Sequence, residues 1–177
     1  GVTVTDPSVT ASYLNTLDGD TTGTVNASAV TMITGTASEI KTVYASSGIS
    51  GLGNEEITLS AGSAAAADLN TINAATTGLI TATGVTALTG TAAELVTLIN
   101  NEGNAGDKVN LDGDFAVTIT DNPTDAQLEI IDAATTGTIT VGDGGVTVTD
   151  KSVTASYLNT LDENTTETVN ASAVTMI

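Results

Sequence analysis

The sequence predicts a β-rich α/β solenoid of about six coils, each one short helix plus two short strands stacked in parallel sheets. Three observations predict it. First, a helix-forming phrase recurs, with its central Leu or Ile at Leu14, Ile40, Leu69, Leu95, Leu128 and Leu158. The spacing of about 26 to 33 residues lies in the range of stacked repeats. Second, four of these helices are followed by a strand-like phrase: Thr21-Thr22-Gly23-Thr24-Val25, Thr76-Thr77-Gly78-Leu79-Ile80, Thr135-Thr136-Gly137-Thr138-Ile139 and Thr165-Thr166-Glu167-Thr168-Val169. Glu167 replaces Gly in the last, which reads the Gly as helpful rather than obligatory. Third, the chain has only three Tyr, one Phe and no Trp. Its core must be filled by Val, Ile, Leu and Ala, which suits thin regular layers, whereas an ordinary globular core uses large rings. Roughly one residue in five is Thr, a β-branched type that favours strands.

The unit is clearest where Ala66, Leu69 and Ile72 recur at helical spacing and run into Thr76-Thr77-Gly78. Ile80 and Ala82 then alternate with Thr81 and Thr83 as in a strand. One such unit cannot bury its own apolar face, but stacked copies can. Residues 1–177 therefore read as one continuous stack, with like strands pairing in parallel to give two narrow sheets and one helical side.

Taken in order, Gly1 to Asp6 is a strand with Val2 and Val4 inward, and Pro7-Ser8 is a turn. Thr10 caps a first helix that ends at the Asp18-Gly19-Asp20 turn. Strands follow near 24–27 and 30–33. Thr36-Ala37-Ser38-Glu39 opens the second helix as a capping box, a form repeated at Thr91-Ala92-Ala93-Glu94 and, with Gln127, at Thr124. Residues 46–54 form a Gly- and Ser-rich bend, 56–60 a strand, and 62–67 a lead into the third helix. Residues 85–88 close that unit, and strands are expected at 109–111, 116–120, 139–141 and 146–148, with a protruding polar insertion at 101–107. Each helix is only about eight to ten residues, too short to persist alone in water, so docking must hold it.

Gly145 to Ile177 restates Gly1 to Ile33 at an offset of 144, differing only at Pro7/Lys151, Gly19/Glu163, Asp20/Asn164 and Gly23/Glu167. The chain opens and closes inside strand-like runs and reads as a fragment of a longer array that stacks end to end.

The formal charge is −18, with Lys41, Lys108 and Lys151 the only cations. Such a chain is repelled by phosphate backbones and anionic lipid headgroups, which excludes nucleic acid as a partner. No apolar run approaches the roughly 18 residues of a membrane span. Without Cys or His, thiol and imidazole chemistry are closed.

Few motifs carry chemistry. Ser38-Glu39-Ile40-Lys41 matches Ser-x-x-Lys but lacks the partner motifs of acylating enzymes, and a helix start explains it. Gly48-Ile49-Ser50-Gly51 has Leu52 where a nucleophile elbow ends in Gly. No catalytic residue is assigned and no organic cofactor is expected. Acidic turns are the candidate metal centre. Asp18, Asp20, Asp112, Asp114, Asp121 and Asp125 lie in bends of the type from which Ca²⁺ draws oxygen ligands, although Asp and Gly are also ordinary turn residues. Thr-x-Thr pairs at Thr3/Thr5, Thr118/Thr120, Thr138/Thr140 and Thr147/Thr149 could form ladders on a flat face. Strand propensity with polar outward faces is the weightier explanation. The sequons at Asn26, Asn164 and Asn170 are expected by chance in so Ser- and Thr-rich a chain.

The phrase Leu-Asn-Thr-Leu-Asp followed by Thr-Thr-Gly-Thr-Val-x-Ala-Ser, alternating with Thr-Gly-Thr-Ala-x-Glu-Leu/Ile, resembles the tandem repeats of very large secreted or cell-surface bacterial proteins, including those of marine cyanobacteria. The resemblance covers nearly the whole chain. It implies an extracellular or cell-surface, adhesin- or S-layer-like structural role, without catalytic residues to carry over. The expected function is a filament, stalk or surface layer whose partner is itself. The alternative is an adhesin or binding module that recognises glycan or ice through a Thr-rich face.

Overall fold

The computed structural model describes residues 1–102 and 109–142 and, beyond them, 146–147, 155, 158–159, 162, 169–172, 174–175 and 177. The chain is α/β, and among the described residues every strand pairs parallel. Strands β1 (Val2–Thr3) and β2 (Ser8–Thr10) lead into helix α1 (Ala11–Asp20), and β3 (Val25–Asn26) and β4 (Met32–Gly35) into α2 (Ala37–Ala45). Three strands, β5 (Ile49–Ser50), β6 (Glu56–Leu59) and β7 (Gly62–Ala65), precede α3 (Ala66–Ala75). Then β8 (Ile80–Ala82) and β9 (Val85–Gly90) precede α4 (Ala92–Ile99), and β10 (Val109–Leu111) and β11 (Ala116–Ile119) precede α5 (Asp125–Ala134). Strands β12 (Ile139–Val141), β13 (Val146–Thr147) and β14 (Val169–Asn170) follow.

The capping chemistry is present where the sequence puts it. Thr36, Thr91 and Thr124 each accept the backbone N–H of the residue three on, while Glu39, Glu94 and Gln127 reach back to the cap N–H. Thr10 accepts from Tyr13 N–H in the same manner. Each box satisfies two of the orphan donors at a helix start. Successive helices pack side by side from α1 to α5.

The two narrow sheets expected from the sequence are instead three sheets and a further strand pair. Their orders are β1-β3-β5, β10-β8-β6-β4-β2, β12-β11-β9-β7 and β13-β14. The difference arises because residues 46–54, read as a bend, contain β5, and because Ser8–Thr10 and Gly62–Ala65, read as turn and lead-in, are paired strands. β7 is Gly62, Ser63, Ala64 and Ala65, so nothing in its own sequence favours a strand. Its pairing with β9 decides it.

The core is one apolar cluster. Leu14, Ile40, Leu69 and Leu95 are fully buried and Leu128 nearly so, all within that cluster. Leu158 is only partly buried against it. Among the described residues Phe115 is the single buried aromatic ring of the cluster. Most of the expected insertion at 101–107, Val148 and Thr149 of the last strand run, residues 143–145, Asn164 and the Glu167 position lie outside the described residues.

Candidate functional site

Thr-Thr-Gly is a built junction between neighbouring units. Thr76 is buried and its hydroxyl donates to Glu55 O at 2.7 Å while accepting Gly78 N–H at 3.0 Å. Thr77 N–H and hydroxyl both reach Gly53 O. Thr135, Thr136 and Gly137 repeat each bond onto Phe115 O and Gly113 O. The Gly is therefore not merely helpful at these two positions. A Cβ on Gly78 would meet the carbonyl of Glu55, and one on Gly137 the carbonyl of Phe115. Ser46 and Gly48 make the same side-chain-to-amide bond, which the sequence reading missed because Ser46-Ser47-Gly48 lacks Thr.

Glu55 and Phe115 thus occupy matching places, each fully buried and each offering its carbonyl to a buried Thr. Glu55 is satisfied rather than stranded. Gly53 N–H lies 2.9 Å from both carboxylate oxygens and the Tyr44 hydroxyl donates to Oε2 at 2.8 Å. Burial pushes the Tyr44 phenol well above its ordinary value. The Glu55 hydrogen bond and charge add to the rise, and a hydrogen bond with Thr76 opposes it. A hydrogen bond from the Thr36 backbone, then one from its hydroxyl, lowers the Glu39 carboxyl against a small opposing effect of burial. Neither Glu55 nor Tyr44 was singled out from sequence. The signal available was the alignment of Glu55 with Phe115 in front of equivalent strands.

The six candidate metal ligands are dispersed. Asp18 accepts the Ser46 hydroxyl at 2.6 Å, and Asp20 is exposed at the end of α1. Asp112 and Asp114 are exposed in the turn around Gly113. Asp121 accepts Ala92 N–H at 2.7 Å, placing a carboxylate on the positive N-terminal end of α4. Asp125 is buried in the first turn of α5. Among the described residues no three Asp or Glu side chains come together in a group able to hold a metal ion. Ser38 and Lys41 are likewise in structural use: Ser38 O accepts the Thr42 hydroxyl, and Lys41 pairs with Asp68 on α3 at 2.7 Å.

The sheet faces carry files of polar β-residues. In the second sheet Thr10, Thr34, Thr58 and Thr81 are Cα partners in succession, ending at Asn110. In the third, Thr89, Thr118 and Thr140 stand in register. Thr3, Asn26 and Ser50 do so in the first. Neighbouring strands set the step along each file at about 4.8 Å. The longest file uses none of the Thr-x-Thr pairs named from the sequence, because sheet pairing, not local spacing, aligns it.

Comparison with protein-family models, curated proteins and solved structures finds no match.

Proposed function

We propose that this chain is a structural repeat protein: six coils of one helix and two or three strands wound as a solenoid that stacks end to end in an extracellular filament, stalk or surface layer. One observation carries the reading. β13 pairs with β14 as Val146↔Val169 and Thr147↔Asn170, the pairing of β1 with β3 as Val2↔Val25 and Thr3↔Asn26 moved on by 144 residues. A chain that rebuilds its own first strand pair is suited to extension. The parallel sheets present edge strands whose backbone groups a following block would satisfy. Electron microscopy of the native material tests it. Long fibres or a lattice support the reading, and isolated compact particles refute it.

A second reading rests on the Thr10–Thr34–Thr58–Thr81 file, whose regular hydroxyls and methyls suit an ordered ligand such as ice or a glycan. Thermal hysteresis and glycan binding, each compared with a Thr34→Lys, Thr58→Lys variant, decide it. Calcium enters either reading only as a ligand of the exposed Asp112 and Asp114 turn. An ion that binds only the folded state raises the melting temperature by mass action, so an unchanged melt in millimolar Ca²⁺ removes it.

A further inference from the structure

Two Asp-Gly pairs lie among the described residues, Asp18-Gly19 and Asp112-Gly113, and the fold treats them differently. Asp143-Gly144 lies outside them. In such a pair the main-chain nitrogen of Gly can attack the carboxyl group before it, because no Cβ hinders the approach and Gly reaches the backbone conformations the ring needs. The rate depends on how freely the two groups turn towards each other.

At Asp18-Gly19 they are held. Both residues lie inside α1, where the backbone dihedrals are fixed. Asp18 is half-buried, its carboxylate accepts the Ser46 hydroxyl at 2.6 Å, and it lies against Gly48. Asp112-Gly113 stands outside helix and strand, in the turn between β10 and β11. Both residues are exposed, and a Cβ on Gly113 would meet nothing within 4 Å. Turn tips of this kind are where backbone is least constrained. The same turn also anchors a neighbour. Gly113 O accepts the Thr136 N–H at 2.9 Å and the Thr136 hydroxyl at 3.3 Å, which fixes the segment between α5 and β12.

We propose that Asp112-Gly113 is a site of spontaneous backbone isomerisation that loosens the joint between this turn and Thr136. The Gly113 nitrogen bonds to Asp112 Cγ, and the bond from Cγ to its hydroxyl oxygen breaks. That hydroxyl leaves as water with the proton from the Gly113 N–H, and a succinimide ring remains. The ring then takes up one water. Opening at the Cγ–N bond restores Asp112. Opening at the bond from the nitrogen to the Asp112 main-chain carbonyl carbon frees that carbon as a carboxylate and leaves the chain running through Cβ and Cγ. The isoaspartate so formed has the parent mass and one more carbon in the main chain. That carbon displaces Gly113 O from the Thr136 groups it holds. Water is the only co-reactant.

The whole folded chain, held at mildly acidic pH below its melting temperature and digested at intervals, tests this by peptide mapping with fragmentation that separates isoaspartate from aspartate. Isoaspartate should accumulate at Asp112 at least about ten times faster than at Asp18, a factor that one hydrogen bond to a charged group suffices to give. In urea the two sites should react at similar rates. Gly113→Ala fits the open space and should slow the reaction at 112, whereas Asp112→Asn, which expels ammonia instead of water, should hasten it. No isoaspartate at 112 in the folded chain, or equal accumulation at both sites, overturns the proposal. An Asp18 that stays equally slow in urea overturns it too, because the fold is then not what separates the sites. Hydrogen exchange at the Thr136 N–H should rise in the isomerised chain, and unchanged exchange there refutes the loosening of the joint.

Discussion

Gly78→Ala and Gly19→Ala add the same methyl group and should move stability in opposite directions. A Cβ at Gly78 would sit 2.5 Å from the Glu55 carbonyl carbon and 2.9 Å from Glu56 N, with the carbonyl oxygen closer still. Carbon atoms prefer roughly 3.5–4.0 Å, so backbone must move by about an ångström. The neighbour is main chain that is itself paired, since Glu56 N–H donates to Thr31 O and Ile57 N–H to Leu79 O. Overpacking costs about 1–3 kcal/mol, and the Thr76–Glu55 and Gly78–Thr76 bonds put at risk add about 1 kcal/mol each. A loss of at least about 3 kcal/mol follows, which in a chain of this length lowers the melting temperature by roughly 6–12 °C.

Gly19 lies within α1 and an added Cβ meets nothing within 4 Å. There Ala should gain up to about 1 kcal/mol, because Gly has more freedom to lose in a helix. Thermal and urea unfolding of both variants beside the parent measures the contrast. A Gly78→Ala variant that melts within a degree of the parent would falsify the junction as described. If both variants fall together, the helix assignment of Gly19 fails as well.

Tyr44 has a folded value raised above its unfolded one, so the stability it confers is fully present below about pH 10 and is lost as pH rises through the folded value. Titrated by phenolate absorbance, Tyr44 should ionise above the ordinary tyrosine value, and Tyr44→Phe should delete that late phase and cost about 1–2 kcal/mol at neutral pH. Burial raises the Glu102 carboxyl more than the Leu111 backbone bond lowers it, so its ionised form opposes folding. Its contribution is greatest at low pH and falls as pH rises through the folded value, so Glu102→Gln should raise the neutral-pH melting temperature slightly while leaving the acid melt unchanged. Asp121→Ala strips the carboxylate from the start of α4 and should cost about 0.5–2 kcal/mol, read by urea unfolding without added metal. If Asp112 binds Ca²⁺, Asp112→Asn should shrink any calcium-induced rise in melting temperature, with Mg²⁺ as the control.

What was legible in the sequence is what local chemistry decides. Thr36, Thr91 and Thr124 announce helix starts because a hydroxyl and a carboxylate or amide three residues apart can satisfy two orphan N–H groups without help from elsewhere. Leu14, Ile40, Leu69, Leu95 and Leu128 announce the core because one helical face must be buried. The illegible parts depend on a partner distant in sequence. Gly62–Ala65 is a strand because β9 lies beside it, and Asp121 is a helix-capping residue because Ala92 lies beside it. Glu55 reads as a surface charge in a Gly-rich bend. It is buried because Tyr44, eleven residues earlier, and Gly53 supply its donors.

The move from the first and second sheets to the second and third follows from one extra strand. Two strands fit between α1 and α2 and between α3 and α4, but the segment between α2 and α3 is longer by about four residues, enough for a further short strand at about 3.3 Å per residue. After it, the next two units place their strands in the second and third sheets rather than the first and second. The strand after Thr-Thr-Gly lies in the first sheet as β3, the second as β8 and the third as β12, and the strand after Thr165-Thr166-Glu167 lies in the separate pair as β14. The phrase serves alike in the second and third sheets because its bonds act only between neighbours: a buried hydroxyl of Thr76 or Thr135 to the preceding carbonyl and the Gly78 or Gly137 amide behind it. Such a phrase fixes how a unit sits on the one before and is indifferent to which sheet it joins. That separation explains how a block of 144 residues can contain units of unequal length and still end by rebuilding the Val2↔Val25 pair at Val146↔Val169. Regularity lies in the joint, so length can be added at any joint that repeats it.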